Sequence, residues 1–322
     1  MARQRRLQAL ERRVRIRRPV AISEEGWQMT PKKAVGLVGI GLVGTALAEN
    51  LLASDYEVIG FARRGVKRAE IERLGGRAAT SLSEVAQATE RVILSLPDSA
   101  VVEEVIFGHG GLLKAGPGLR IIIDTTTGEP ERTETLAHRL LHRGIQLLDA
   151  PISGSSEQIR RREGVILIGG EQTAYESCLD LFRVLSEKHY YLGKPGAGSR
   201  AKLASNLILG LNRLVLAEGL VFAERLGLDL EAFLAMLKTT PAYSRAMDVK
   251  GQKMLLEDFT PQSRITQHHK DLRIMLEYAE RQGQKLPLAQ LHKEILEQCM
   301  AHGEGGLDTS AVIRELRRMQ EK

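Results

Sequence analysis

The sequence predicts an α/β fold: a doubly wound parallel sheet followed by an all-α C-terminal domain entered by one long helix. Three observations carry that prediction. Short apolar strand-like runs alternate with helical patterns as far as residue 168. A glycine-rich turn follows the first of those runs, and from Ser199 onward the apolar spacing changes to a helical period. A length of 322 residues, 43% of them apolar, is enough for two domains with cores of their own.

Residues 34–38 read as a short buried strand, 45–53 as the helix after it, and 57–61 as a second strand. A helix over 81–88 and strands over 91–96, 120–124, 145–148 and 165–168 follow, at the spacing that parallel crossovers need. From 199 to 226 the chain is one long, mostly apolar helical pattern, and 230–238, 271–282 and 288–302 read as further helices. The boundary between the halves falls near residues 193–198, and no internal repeat is visible.

Charge excludes less than the total suggests. The chain carries a formal +6, but residues 1–28 hold eight arginines against three glutamates, and the remainder has 38 basic and 37 acidic residues. The body therefore offers no global argument for nucleic acid. The leader, residues 1–32, is expected to be a disordered basic tail; a start at Met29 is the alternative, because Met-Thr-Pro-Lys-Lys leads directly into the first strand. Cys178 and Cys299 make no disulfide framework and have no metal-ligand spacing, so no metal site and a reducing, cytoplasmic setting are expected. The apolar stretch at 35–48 is glycine-laced and shorter than the roughly 18–20 residues of a membrane span, so no membrane association is expected.

Gly39-Ile40-Gly41-Leu42-Val43-Gly44 is a GxGxxG between a strand and a helix. Gly39 permits the tight turn, Gly41 lets backbone approach a pyrophosphate, and Gly44 lets helix and strand pack closely. Phosphate would then sit at the helix N-terminus, where unpaired N–H groups favour an anion. By itself a GxGxxG also fits an ordinary turn, but here the flanking strand, helix and second strand are all present. That context predicts a Rossmann-type domain binding a dinucleotide. The second strand ends in Ala62-Arg63-Arg64 rather than in a carboxylate. Guanidinium groups suit a 2′-phosphate, so NADP is the preferred cofactor and NAD the alternative.

Polar loops at strand ends occur at Leu96-Pro97-Asp98, at Asp124-Thr125-Thr126-Thr127, and at residues 149–155, where Ser153 and Gly154 could receive a carboxylate. Each alone is compatible with a plain turn. Lys202 begins the long helix with Ser205 and Asn206 on its face at i+3 and i+4, and a lysine there opposes the helix dipole.

Taken together and in order, these segments resemble the β-hydroxyacid dehydrogenase family, which includes 3-hydroxyisobutyrate dehydrogenase, tartronate semialdehyde reductase and the glyoxylate/succinic semialdehyde reductases. The resemblance covers residues 34–315: residues 36–44, Leu96-Pro97-Asp98, Asp124 to Thr127 with Pro130, residues 148–154, residues 196–206 and Lys270-Asp271-Leu272. It implies that Lys202 is the catalytic proton donor, that Asn206, Ser153 and Gly154 hold the substrate, and that Leu96, Pro97, Thr127 and Lys270 contact the cofactor. Asp271 would orient the site. It implies residues 33–195 as the NADP-binding domain, and 196–322 as a helical substrate domain that packs on a partner in a homodimer or homotetramer.

The chain departs from the family pattern at three places. Arg162-Glu163-Gly164, preceded by Arg160 and Arg161, stands where Gly-Thr-Leu is usual. Ser205 replaces an asparagine, and Ser263 replaces an aromatic residue seven positions before Lys270. These touch the substrate more than the reaction; the arginine run reads either as a solvated loop or as a reader of a more anionic substrate. The expected activity is reduction of a small aldehyde or keto acid, such as glyoxylate or succinic or tartronate semialdehyde. Hydride would come from NADPH and the proton from Lys202. Imine reduction and a non-catalytic NADP-binding scaffold are the alternatives; retention of Lys202 argues against the first, and Lys202, Ser153 and Asn206 together argue against the second.

Overall fold

The computed structural model describes residues 33–114 and 118–320; the expected disordered leader lies outside the described residues. Strand β1 (Ala34–Val38) leads into α1 (Leu42–Leu52), β2 (Glu57–Phe61) into α2 (Gly65–Arg73), and β3 (Arg77–Ala78) into α3 (Leu82–Ala88). The alternation continues with β4 (Arg91–Leu94), α4 (Ser99–Phe107), β5 (Ile121–Asp124), α5 (Pro130–Leu141) and β6 (Gln146–Asp149). Then come β7 (Ile152–Ser153), α6 (Ser156–Arg160), β8 (Val165–Gly169), α7 (Gln172–Ser177), α8 (Leu179–Leu185) and β9 (Lys188–Gly193). The helical half consists of α9 (Ala197–Arg225), α10 (Leu230–Leu237), a π-turn over Met247–Gly251, α11 (Gln252–Leu255), α12 (Ile265–Arg281), α13 (Pro287–Ala301) and α14 (Val312–Arg318).

The sheet order is β3-β2-β1-β4-β5-β6-β8-β7, with β9 on β8. The six strands from β3 to β6 are parallel, as expected. The far edge is not: β8 runs antiparallel to β6 and β7 and carries β9 parallel to itself. The link from β7 to β8 holds only the five-residue α6, too little for a crossover helix, so the chain turns straight back. Strand order reverses between β1 and β4, which opens a crevice at their C-terminal ends.

Consecutive strand residues point to opposite faces. Leu37, Ile93, Ile123 and Leu148 therefore enter one core cluster, while Val38, Leu94, Ile122 and Leu147 enter another. Both faces are covered, which is why these strands read as continuous apolar runs. A separate cluster of Leu214, Leu220, Leu272, Met275 and Ile295 fills the helical half.

Two further expectations shift. The α12 helix begins at Ile265, six residues before Asp271, because the polar run Thr266 to Lys270 hides a period whose buried members are Ile265 and His268. By length and composition α9 is apolar enough to cross a membrane, which the stretch at 35–48 is not; half of its apolar window is packed inside the protein.

Candidate active site

The glycine turn has the geometry its spacing requires. Gly39 sits at φ +100°, and any Cβ there would collide with the carbonyl of Ser95. A Cβ at Gly44 would strike the carbonyl of Gly39, so α1 and β1 touch backbone to backbone. A Cβ at Gly41 would meet nothing within 4 Å; the space above it is open. Gly41 is also the N-cap of α1 and supplies no side-chain acceptor, which leaves the first N–H groups of the helix available to an anion.

At the end of β2, Ala62 is buried and Arg63 and Arg64 are exposed. The neighbouring cations are committed elsewhere. Lys67 pairs with Glu70, and Arg68 donates to the carbonyls of Ala62 (2.9 Å) and Arg63 (3.2 Å), bracing the turn. Arg63 and Arg64 have no ion pair among the described residues.

The loops after β4 and β5 are locked together: Leu96 N–H donates to Thr126 Oγ1 (3.1 Å), and Thr125 Oγ1 donates to the Leu94 carbonyl (2.7 Å). Asp98 is the N-cap of α4, accepting from Val101 N–H at 2.9 Å. After β7, Ser155 and Gln158 form a reciprocal capping box on α6 that holds the preceding Ser153-Gly154 turn, with Gly154 at φ +154°.

Asp149, at the end of β6, accepts from Gly196 N–H (2.9 Å) and Ser199 N–H (2.8 Å) and so anchors the start of α9 to the sheet. Gly198 makes this close approach feasible, since a Cβ there would collide with the carbonyls of Leu167 and Asp149. One turn on, Lys202 is only 6% exposed, and its Nζ donates to the Ile152 carbonyl at 2.7 Å. Burial pushes the Lys202 ammonium down to about 8; Asp271 opposes that shift, and Arg213 and Lys270 add to it.

Asn206, one further turn along, donates through Nδ2 to Asp271 Oδ2 at 3.0 Å. Lys270 stands 3.2 Å from the other oxygen of Asp271 and donates to the carbonyls of Pro97 (3.0 Å) and Thr127 (2.6 Å). It thereby ties α12 to the loops after β4 and β5.

One cavity of about 1530 Å³ gathers these parts. Residues 39–43, Ala62, Arg63, Arg64, Leu96, Pro97, Thr127, Ser153, Gly154, Lys202 and Asn206 all line it. Gly44 lies behind the turn and Lys270 behind the loops it holds. Ser205 bonds back to the Lys202 carbonyl of its own helix and does not line the cavity. None of the three adjacent arginines reaches it: Arg160 pairs with Glu49 and Glu157, and Arg162 donates to the Arg183 carbonyl.

The wall also contains residues that sequence reasoning left out. His109 and Gly108 to Gly111 line the dinucleotide side. His268 is buried against His292 with ring centroids 5.1 Å apart. Arg213, Arg245, Lys250 and Arg264 line the helical side. Arg213 had a legible signal, as one of two charged residues between 203 and 223 and eleven positions after Lys202.

Residues 34–193 match the family described as the NAD binding domain of 6-phosphogluconate dehydrogenase, and residues 196–316 that described as NAD-binding of NADP-dependent 3-hydroxyisobutyrate dehydrogenase. The chain is 31% identical over 287 residues to the 2-hydroxy-3-oxopropionate reductase of Escherichia coli, covering 88% of this chain and 97% of that one. It is 31% identical over 281 residues to the 2-(hydroxymethyl)glutarate dehydrogenase of Eubacterium barkeri, covering 87% and 93%. Among solved structures it is similar to a 3-hydroxyisobutyrate dehydrogenase from Salmonella typhimurium, with a TM-score of 0.80 at 25% identity, covering 88% of this chain and 99% of that one.

Proposed function

Because the chain belongs to the β-hydroxyacid dehydrogenase family and is an oxidoreductase of the hydroxyacid dehydrogenase/reductase type, we propose that it uses NADP(H) to interconvert a small carboxylate-bearing aldehyde or keto acid and its hydroxy acid, with Lys202 moving the proton. The observation that carries this reading is the position of Lys202. It is a buried ammonium on the wall of the cavity that also holds the glycine turn and the Ser153-Gly154 loop.

The open space over Gly41 and the uncapped start of α1 fit a pyrophosphate, and Arg63 and Arg64 fit a 2′-phosphate. Leu96, Pro97 and Thr127 would flank the nicotinamide end, with Lys270 holding their loops in place. Bound there, the dinucleotide supplies or takes up the hydride.

The chain's own residues do the rest. Ser153 and the backbone at Gly154 receive the substrate carboxylate. Asn206, steadied by Asp271, directs the carbonyl toward Lys202. In reduction the Lys202 ammonium donates its proton to the developing alkoxide; in oxidation the neutral amine takes it back. An ammonium brought down to about 8 gives up a proton near neutral pH far more readily than an exposed lysine does.

A homo-oligomer is part of this reading. Ile208, Val215 and Phe222 are each more than half exposed and lie seven residues apart, forming an apolar stripe on α9. Such a stripe suits burial against a second copy.

The test is purified protein with NADPH, and NADH in parallel, against glyoxylate and succinic, tartronate and methylmalonate semialdehydes. The readout is loss of nicotinamide absorbance. Rapid NADPH oxidation with one acid is the expected result, and no oxidation with any of them overturns the reading. Faster turnover with NADH overturns the cofactor assignment alone.

A further inference from the structure

We infer that the substrate carries a second anionic group, distant from the reacting carbonyl, which is received by Arg213 with Arg245 and Arg264 at the rim. This rests on the proposed function and narrows the substrate to a class. Arg213 lies on α9 eleven residues after Lys202, three turns along and within about 20° of the same face. Helix side chains lean toward the N-terminus, so the guanidinium reaches back toward the lysine. It is only 6% exposed and lines the cavity.

Arg213 has no carboxylate within ion-pair distance among the described residues. Among the described residues its one side-chain hydrogen bond is from Nη1 to Thr309 Oγ1 at 2.7 Å, out of five N–H groups. A buried guanidinium without a paired carboxylate is costly unless something else meets its charge.

The neighbouring charges make the same point. Lys250 also lines the cavity but is neutralised by Asp308, at 2.8 and 2.9 Å. Asp308 is in turn engaged by the backbone of Gln262, Ser263 and Ser310 and by the Ser310 hydroxyl. On the helical side this leaves Lys202, Arg213, Arg245 and Arg264 with one carboxylate on the cavity wall, Asp271, which already holds Asn206 and stands beside Lys270; Asp308 acts on Arg213 only from behind the wall, where it is bound to Lys250.

One substrate carboxylate placed at Ser153-Gly154 would leave the charge of Arg213 unmet. Ser263, small and polar, lines the same cavity. A carboxylate and a phosphonate share the chemistry the arginines read.

The test uses the NADP⁺-loaded protein and hydroxy acids that share one reacting centre: 2-(hydroxymethyl)glutarate, its 5-carboxamide, and the analogue with a phosphonate in place of the 5-carboxylate. Wild-type kcat/KM should favour the acid over the amide by at least about tenfold, the worth of a charge-assisted pair. Comparison of acid with phosphonate identifies which anion fits. Arg213→Met should collapse the acid-to-amide ratio to below about threefold, and Arg213→Lys should retain part of it. Acid and amide turned over equally by the wild type, or lowered by the same factor in Arg213→Met, overturns the inference and makes Arg213 a structural cation. If Arg213→Met does not fold, the wild-type ratio and the exposed Arg245→Gln variant decide. Thermal shift keeps this separate from the enzymatic reading. Stabilisation by the glutarate but not the amide, without turnover, supports the anion site and sinks the reductase. Turnover of single-carboxylate acids with no preference for a second anion does the reverse, and neither shift nor turnover overturns both.

Discussion

The Lys202 ammonium donates to the carbonyl oxygen of Ile152 at 2.7 Å, across the junction between the long helix and the strand that presents Ser153. That bond aims the amine at the loop proposed to hold the substrate carboxylate. It also offsets part of the cost of burying a charge.

Replacing Lys202 with Met should lower kcat for reduction by at least about a hundredfold, the scale of lost general acid catalysis. NADPH binding, followed by nicotinamide fluorescence, should persist, because the glycine turn between β1 and α1 and the arginines at the end of β2, proposed to hold the dinucleotide, are untouched by the change. Unaltered turnover would remove Lys202 from the mechanism.

The pH dependence should run in opposite senses for the two directions. Reduction requires the ammonium, so its kcat/KM should fall as pH rises through about 8; oxidation requires the free amine and should rise across the same interval. Profiles of both directions on one preparation check this. A Lys202 profile centred near that of an exposed lysine would mean that burial does not dominate its surroundings.

Substituting Arg63 and Arg64 together by Ala should reduce the preference for NADPH over NADH by at least about tenfold in kcat/KM. The two guanidinium groups are the uncommitted cations at the end of β2. Arg68→Ala, which loses bonds to the Ala62 and Arg63 carbonyls, should weaken both dinucleotides instead.

Asp149→Ala should destabilise the protein by about 2 kcal/mol or more in urea unfolding, since the Gly196 and Ser199 N–H groups lose a buried acceptor. It should also lower kcat, because Asp149 sets the start of the helix that carries Lys202. A stability change with full activity would show that α9 is held well enough by its packing alone.

Phe222→Glu should shift the protein toward monomer in sedimentation or light scattering, as a charge on the exposed stripe of α9 opposes burial against a second copy. An unchanged mass would place any oligomer contact elsewhere.

The dinucleotide half was legible because its signals are local. A tight turn at Gly39 and a helix start at Gly41 depend on neighbours within a few residues, and GxGxxG records them directly. Strand partners were legible as apolar runs, although the reversal at β8 was not, because Val165 to Ile168 is an apolar run too short to carry any mark of strand direction.

The helical side of the cavity was only half legible. Lys202 and Asn206 lie one turn apart and announce a shared face, while Asp149 meets Ser199 across fifty residues and Lys270 meets Thr127 across more than a hundred and forty. By itself the sequence determined the α/β class, the dinucleotide turn, the arginine pair at the second strand and the lysine at the start of the long helix. Tertiary structure alone decided that Lys202 is buried and bonded to Ile152, that Lys270 holds loops behind the cavity wall, that the three adjacent arginines stay outside it, and that Arg213 lines it without a carboxylate partner among the described residues. The reason is physical: a backbone conformation is set by residues near in the chain, whereas desolvation and charge pairing depend on which distant segments the fold brings within a few ångströms.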